Sequence, residues 1–196
     1  MSRYSKKENY VTRDPSPDVW RDHANGILIN LYEDLIKGNV IDFGCNHGAC
    51  TFLLCENSNV TKVYGLDLNQ EAIDVANVTK LEYPDYNIEF ICDDLVSFNN
   101  EMMFDTIVSF HTIEHIYPDD IDLILQKSHK LLKDDGYFIT SIPYERAYDD
   151  GVHHVAFYNE NSLSELFENN GFETVECLDD NRVGINGILT GVFRKK

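Results

Sequence analysis

The stretch Val40-Ile41-Asp42-Phe43-Gly44-Cys45-Asn46-His47-Gly48 decides the fold. Its β-branched start predicts a strand, Gly44 and Gly48 break that strand, and the apolar run from Ala49 to Cys55 predicts a helix. A strand, a glycine turn and a helix in this order suit a nucleotide site, because glycine takes positive φ at no steric cost and lets a ligand approach the backbone. A second run, Lys62-Val63-Tyr64-Gly65-Leu66-Asp67-Leu68, predicts another strand that ends on an acidic residue 25 positions after Asp42. That is the spacing at which dinucleotide folds hold a ribose.

Toward the N-terminus, residues 1–17 are polar and end in Asp14-Pro15-Ser16-Pro17, which predicts a mobile arm. A single domain is expected over 18–196. From Asp18 to Lys37 the apolar residues Trp20, Ala24, Ile27, Leu28, Leu31 and Leu35 recur at helical spacing, so a helix is expected ahead of the first strand. Downstream, Asn69 is placed to cap a helix through Lys80, and Asn87 to Asp94 reads as a strand with an acidic end. Phe104 to His111 has the apolar interior of a strand covered on both faces. Pro118 opens a helix, Asp134-Asp135-Gly136 turns into a strand from Tyr137 to Ser141, and a helix from Asn159 to Asn170 precedes two closing strands joined by a short polar connection. Strands alternating with helices predict a parallel sheet, and the closing pair predicts an antiparallel hairpin.

The charge balance narrows the partners. The 196 residues carry 16 basic and 34 acidic side chains, a formal charge of −18. Polyphosphate binding relies on clustered Lys and Arg, so nucleic acid is disfavoured as a partner. No apolar run approaches the roughly 20 residues that cross a bilayer, so no membrane partner is expected. The five cysteines form no C-x-x-C pair and the first residues lack an apolar signal core, which together predict a reducing cytoplasm. Nothing in the sequence specifies an oligomeric state.

The loop Asp42-Phe43-Gly44-Cys45-Asn46-His47-Gly48 resembles the D-x-G-x-G-x-G loop of the class I S-adenosylmethionine-dependent methyltransferases, with Asn46 at the middle glycine. Asparagine is the non-glycine residue best suited to the left-handed region. Phe90-Ile91-Cys92-Asp93-Asp94-Leu95 and the run L-L-K-D-D-G-Y-F-I-T from Leu131 also resemble family segments, and the likeness covers roughly residues 35–196. The stretch H-H-V-A-F-Y from His153 is similar to a segment of ubiquinone-pathway and sugar O-methyltransferases. The resemblance implies an α/β fold, a Rossmann-like, doubly wound, mostly parallel sheet of seven strands whose last strand is antiparallel, with helices on both faces. It implies S-adenosyl-L-methionine as cofactor, held by Asp42, Phe43, Gly44, Cys45, Asn46, Gly48, Asp67, Leu68, Asp93, Asp94, Leu95, Ser109 and Phe110. Asp67 would take the ribose and Asp93 the adenine amino group. The expected reaction is methyl transfer to a small-molecule acceptor, a hydroxyl of a metabolite or sugar.

A histidine-rich stretch follows the fourth strand. His111-Thr112-Ile113-Glu114-His115 matches the H-x-x-E-H protease signature, but that motif needs both histidines on one helix face, whereas His111 here ends a strand. One branch of the resembling family, small-RNA 3′-terminal 2′-O-methyltransferases, holds magnesium with E-x-x-E-H and a later histidine. This chain has His111 at the first Glu, and imidazole is a poor ligand for a hard cation, so no metal is expected, although His153 or His154 could stand as the later histidine. Ser141-Ile142-Pro143-Tyr144 is similar to the [DNS]-P-P-[YF] loop of amino-methylating enzymes but stands after the fifth strand rather than the fourth. If the acceptor is a hydroxyl, a base assists, and His111, His153 and His154 are the candidates. Two other readings compete: metal-dependent methylation of an RNA end, and a cofactor-binding protein that acts by interaction without turnover.

Overall fold

β-Branched and aromatic runs of five to twelve residues fold into seven strands: β1 (Gly38–Phe43), β2 (Val60–Asp67), β3 (Ile88–Cys92), β4 (Phe104–Phe110), β5 (Leu132–Pro143), β6 (Phe172–Asp179) and β7 (Ile188–Lys195). In the computed structural model, which describes residues 16–99, 101–144, 154–184 and 187–196, they make one sheet in the order β3-β2-β1-β4-β5-β7-β6. The pairs β1–β2, β2–β3 and β4–β5 are parallel. β7 runs antiparallel to both β5 and β6, as the closing hairpin requires. The expected fold class is therefore observed. The residues expected to form an N-terminal arm, 1–15, lie outside the described residues. No helix among the described residues is long and apolar enough to cross a membrane. The chain divides into two compact units between Phe98 and Asn99.

In the first unit the apolar positions of the two signature strands form the core. Val40, Ile41, Val63 and Leu66 are fully buried, as are Phe52 and Leu54 from helix α3 (Ala49–Leu54). Each such side chain contributes about 1.5 to 3 kcal/mol when fully buried. Helix α4 (Gln70–Lys80) starts where Asn69 accepts from the Glu71 N–H, and buries Ala72, Ile73 and Ala76. The leading segment departs from the expected single helix. It forms α1 (Pro17–Trp20) and α2 (Ala24–Leu31), broken at His23, whose backbone is extended. The break brings backbone close to Gly26: a Cβ there would stand 2.4 Å from the Trp20 carbonyl oxygen and 2.5 Å from that of Arg21. Only glycine lets the second helix fold back so tightly on the end of the first.

In the second unit β4 is buried almost throughout, the pattern of a covered strand. Helix α5 (Pro118–Leu131) has Pro118 at its first turn, Asp119 and Asp120 beside it, and His129 and Lys130 in its last turn, so its charges complement the helix dipole. The expected turn at Asp134-Asp135-Gly136 lies inside β5. The register between β4 and β5 shifts there, from Phe104 opposite Leu132 to Thr106 opposite Tyr137, and Asp135 takes φ 61°. Helix α6 (Glu160–Asn169) opens on a reciprocal cap, with Asn159 accepting from the Ser162 N–H and Ser162 from the Asn159 N–H. Beneath it Phe167 stacks on Phe193 of β7 at 3.7 Å between ring centroids and meets Phe138 and Phe172 edge-on.

Candidate functional site

In the first unit the glycine loop takes the conformation its composition requires. Gly44, Asn46 and Gly48 alternate in the left-handed region at φ 75°, 50° and 91°. The loop is tied to β2 at both levels. The Gly44 and Cys45 N–H groups donate to the Leu66 carbonyl at 2.8 and 3.1 Å, and the Asn46 N–H donates to Asp67 Oδ2 at 2.8 Å. Asp67 Oδ1 accepts from the Asn69 N–H at 2.8 Å. One carboxylate thus clamps the loop and the start of α4. Burial raises the Asp67 carboxyl above its ordinary range and the backbone N–H groups act against that rise.

Sequence reasoning missed the packing under the loop. The Phe90 ring lies where a Cβ on Gly48 would reach its Cζ at 2.7 Å and a Cβ on Gly65 its Cδ1 at 2.6 Å. Both glycines are thus required by one aromatic ring. A Gly48→Ala variant is expected to lose about 2 kcal/mol of unfolding free energy, from left-handed strain and overpacking together. Denaturant titration checks this; unchanged stability would mean that the loop does not have this conformation.

Asp42 is 2% exposed, and its Oδ2 accepts a 2.7 Å hydrogen bond from the Thr51 hydroxyl. Burial pushes its carboxyl up to about 7, the Thr51 bond opposes the rise and the nearby Asp67 charge adds to it. Asp42 is an internal strut of the loop, and Thr51 is the partner that no spacing in the sequence shows. Burial also pushes the Cys45 thiol well above its ordinary range, with the Asp42 and Asp67 charges adding. Cys45 is therefore a protonated loop residue, not a nucleophile. Leu68 follows Asp67 at the end of β2 and is half-buried. At the end of β3, Asp93 Oδ1 accepts from the Asp94 N–H at 2.7 Å and from the Ser97 hydroxyl at 3.0 Å, while Asp94 Oδ1 accepts from the Val96 N–H at 2.9 Å. The two carboxylates shape the turn that carries Leu95. The Trp20 ring lies 4.7 Å from His23 and 5.9 Å from buried His47, so Trp20 packs beside the loop.

In the second unit Ser109 and Phe110 are buried, and the Ser109 carbonyl accepts from the Thr140 hydroxyl at 2.6 Å. The next residue, His111, has left-handed backbone at φ 52° and its N–H donates to the Ser141 carbonyl at 2.8 Å. A histidine held there is uncommon, and such conformations gather at functional sites. The chain then forms one 3-10 turn, Ile113–His115, so the H-x-x-E-H residues do not share an α-helical face. Glu114 is 2% exposed, with Oε1 3.4 Å from His111 Nδ1. Its carbonyl accepts from the Val155 and Ala156 N–H groups at 2.9 and 3.2 Å. That pairing brings His154 against His115, with ring centroids 4.9 Å apart. His153 lies outside the described residues. Tyr144, at the exit of β5, donates its hydroxyl to Glu160 at 2.8 Å and its N–H to the Gly187 carbonyl at 2.7 Å, which makes it a strut of that loop.

Comparison with known proteins identifies the family. A family model described as a methyltransferase domain matches residues 20–177. The chain is 28% identical over 166 residues to an uncharacterized methyltransferase of Bacillus mycoides, covering 72% of this chain and 76% of that protein. Among solved structures it is similar to an S-adenosylmethionine-dependent methyltransferase from Clostridium acetobutylicum, with a TM-score of 0.73 at 15% identity, covering 94% of this chain and 93% of the other. It is also similar to the 1,6-didemethyltoxoflavin-N1-methyltransferase of Burkholderia thailandensis, with a TM-score of 0.72 at 22% identity, covering 91% of this chain and 81% of the other. With a family match that spans most of the chain and a sheet of the expected strand order, the chain belongs to the methyltransferases of the class I, S-adenosylmethionine-dependent type.

Proposed function

We propose that the protein transfers the methyl group of S-adenosylmethionine to a hydroxyl of a small-molecule acceptor, a metabolite or a sugar. The cofactor is the family's own, and ligands in open α/β sheets sit outside the carboxyl ends of the strands. On this reading the loop Asp42, Phe43, Gly44, Cys45, Asn46 and Gly48 receives the methionine portion. Asp67 and Leu68 take the ribose, Asp93, Asp94 and Leu95 the adenine, and Ser109 and Phe110 flank the cofactor. Asp67 has lone pairs beyond the two that accept backbone N–H groups, so it can hold the loop and the ribose together.

The sulfonium is already a strong electrophile, so the chain's task is to align a nucleophile with the S–CH3 bond and exclude water. The observation that carries the choice of a hydroxyl is His111: an imidazole in a strained left-handed position directly after β4, 37% exposed, with Glu114 Oε1 3.4 Å from its Nδ1. It is the proposed base. His154 packs on His115 and is the weaker candidate, and His153 keeps its place only as a sequence expectation. The relative from Burkholderia thailandensis is named as an N1-methyltransferase of 1,6-didemethyltoxoflavin, which supports a small-molecule acceptor and not the hydroxyl.

Incubating the protein with methyl-labelled S-adenosylmethionine and a metabolite extract tests the proposal. Label in the small-molecule fraction is the expected result. Label in RNA ends would replace the acceptor class, and tight cofactor binding without any transfer would favour an interaction protein.

A further inference from the structure

Asp42 is a buried acid without a counter-charge. It is 2% exposed on β1, opposite Gly65 of β2, a residue with no side chain. Its hydrogen-bond donor among the described residues is the fully buried Thr51 hydroxyl at 2.7 Å, a neutral group. The titratable groups around it add no positive charge. Asp67 of β2 is a second carboxylate, and burial pushes the thiols of Cys45 in the loop and Cys50 on α3 far above their ordinary range, which keeps both neutral. Among the described residues no Lys or Arg pairs with Asp42 or Asp67. Charges removed from water are ordinarily paired, and an acid left without a partner keeps its proton instead. Burial pushes this carboxyl up to about 7, so at neutral pH a modest change in its surroundings decides whether it is ionised.

Asp42 directly precedes the loop proposed above to receive the cofactor's methionine portion, and the inference rests on that reading. That portion carries a sulfonium and an ammonium against one carboxylate. Once the methyl group is lost, a neutral thioether replaces the sulfonium and the rest is unchanged. A positive charge brought near an acid favours its ionised form. We propose that Asp42 is the residue by which the loop distinguishes the methyl-bearing cofactor from its demethylated product: it is protonated in the free protein, ionises as counter-charge when the sulfonium binds, and regains a proton when the sulfonium becomes a thioether. The carboxyl proton passes to solvent on binding, and one returns from solvent after transfer. Asp67 is less suited to this role, because each of its oxygens already accepts a backbone N–H, from Asn46 and from Asn69, and these bonds favour its ionised form whichever ligand is present. While pH lies below the free carboxyl's value, cofactor binding must expel a proton. Affinity for the cofactor then rises with pH by up to about tenfold per unit and levels off above pH 7, whereas affinity for the product does not follow. The preference for cofactor over product is greatest at the neutral end of this range.

The test is calorimetric titration of S-adenosylmethionine and of S-adenosylhomocysteine into the full-length protein between about pH 5 and 7.5, in buffers of different ionisation enthalpy. These runs count the protons released and give both dissociation constants. The amino group common to the two ligands titrates alike in both, so it cancels from their ratio. At about pH 6 the wild-type protein is expected to release close to one proton with the cofactor and little with the product, and its preference for the cofactor is expected to rise about tenfold per pH unit. Asp42→Asn is expected to release none and to hold the ratio constant across the range. Thr51→Val removes the hydrogen bond that opposes the raised carboxyl, so its levelling-off is expected at higher pH than in the wild type. Cofactor binding without proton release, or equal release with the two ligands, would overturn the proposal. Release that persists in Asp42→Asn would place the proton on Asp67 or on His47 of the same loop and overturn it equally. In each of these cases the cofactor reading stands; absence of cofactor binding to the wild-type protein at every pH would overturn both.

Discussion

Replacing Asp42 with asparagine is expected to leave stability near pH 4 almost unchanged and to raise it by roughly 4 kcal/mol above pH 7. The buried carboxyl is pushed from 3.8 up to about 7. Between those values the folded protein keeps a proton that the unfolded chain releases. Unfolding is then favoured progressively as pH rises, by about 1.4 kcal/mol per unit, and the cost is complete once pH passes the folded value. Asparagine keeps the shape and can still accept from Thr51, but it has no charge to bury. The raised Asp67 carboxyl is present in both proteins, so the difference between the two stability curves reports the burial of Asp42 together with its repulsion from Asp67. Urea unfolding across this pH range gives the curves directly. Parallel curves would show that Asp42 is solvated or otherwise paired, and the account of the loop's interior would fail.

His111→Ala is expected to lower kcat about 10² to 10⁴-fold while leaving cofactor affinity nearly intact, the signature of a group that acts only in the transition state. The alanine variant also removes a residue from a left-handed position, so a second variant is needed. His111→Asn keeps a side chain that tolerates φ 52° but cannot act as a base, and it is expected to lose rate to the same degree. Normal turnover in both would mean catalysis by positioning alone. The acceptor would then be an amine or an oxygen already ionised.

What the sequence shows and what it hides divides along physical lines. The strands β1 and β2, the left-handed positions at Gly44 and Gly48 and the acidic ends at Asp67 and Asp93 are local, set by period-two patterning and by residues that tolerate unusual φ. The break between α1 and α2 is not local. The spacing of apolar residues from Trp20 to Leu35 fits one helix, and the break at His23 is accommodated by a backbone approach at Gly26 that only the folded chain reveals. Thr51 beneath Asp42 and Phe90 beneath Gly48 belong to the same class, because a partner on another element has no signature in spacing. The motif at His111 to His115 and the candidate His154 are legible in the sequence, but the contact of His115 with His154 rests on two backbone hydrogen bonds to Glu114 from residues about forty positions away, which spacing alone does not show.

The loop clamped by Asp67 is the proposed seat of S-adenosylmethionine. Calorimetric titration of the cofactor into the wild-type protein and into Asp67→Ala tests it most directly. Losing a charged hydrogen-bonding group costs about 1.5 to 3 kcal/mol, so saturable one-site binding is expected for the wild type and a dissociation constant about 10- to 150-fold weaker in a folded variant. No binding to the wild type, or equal dissociation constants in the two proteins, would contradict it.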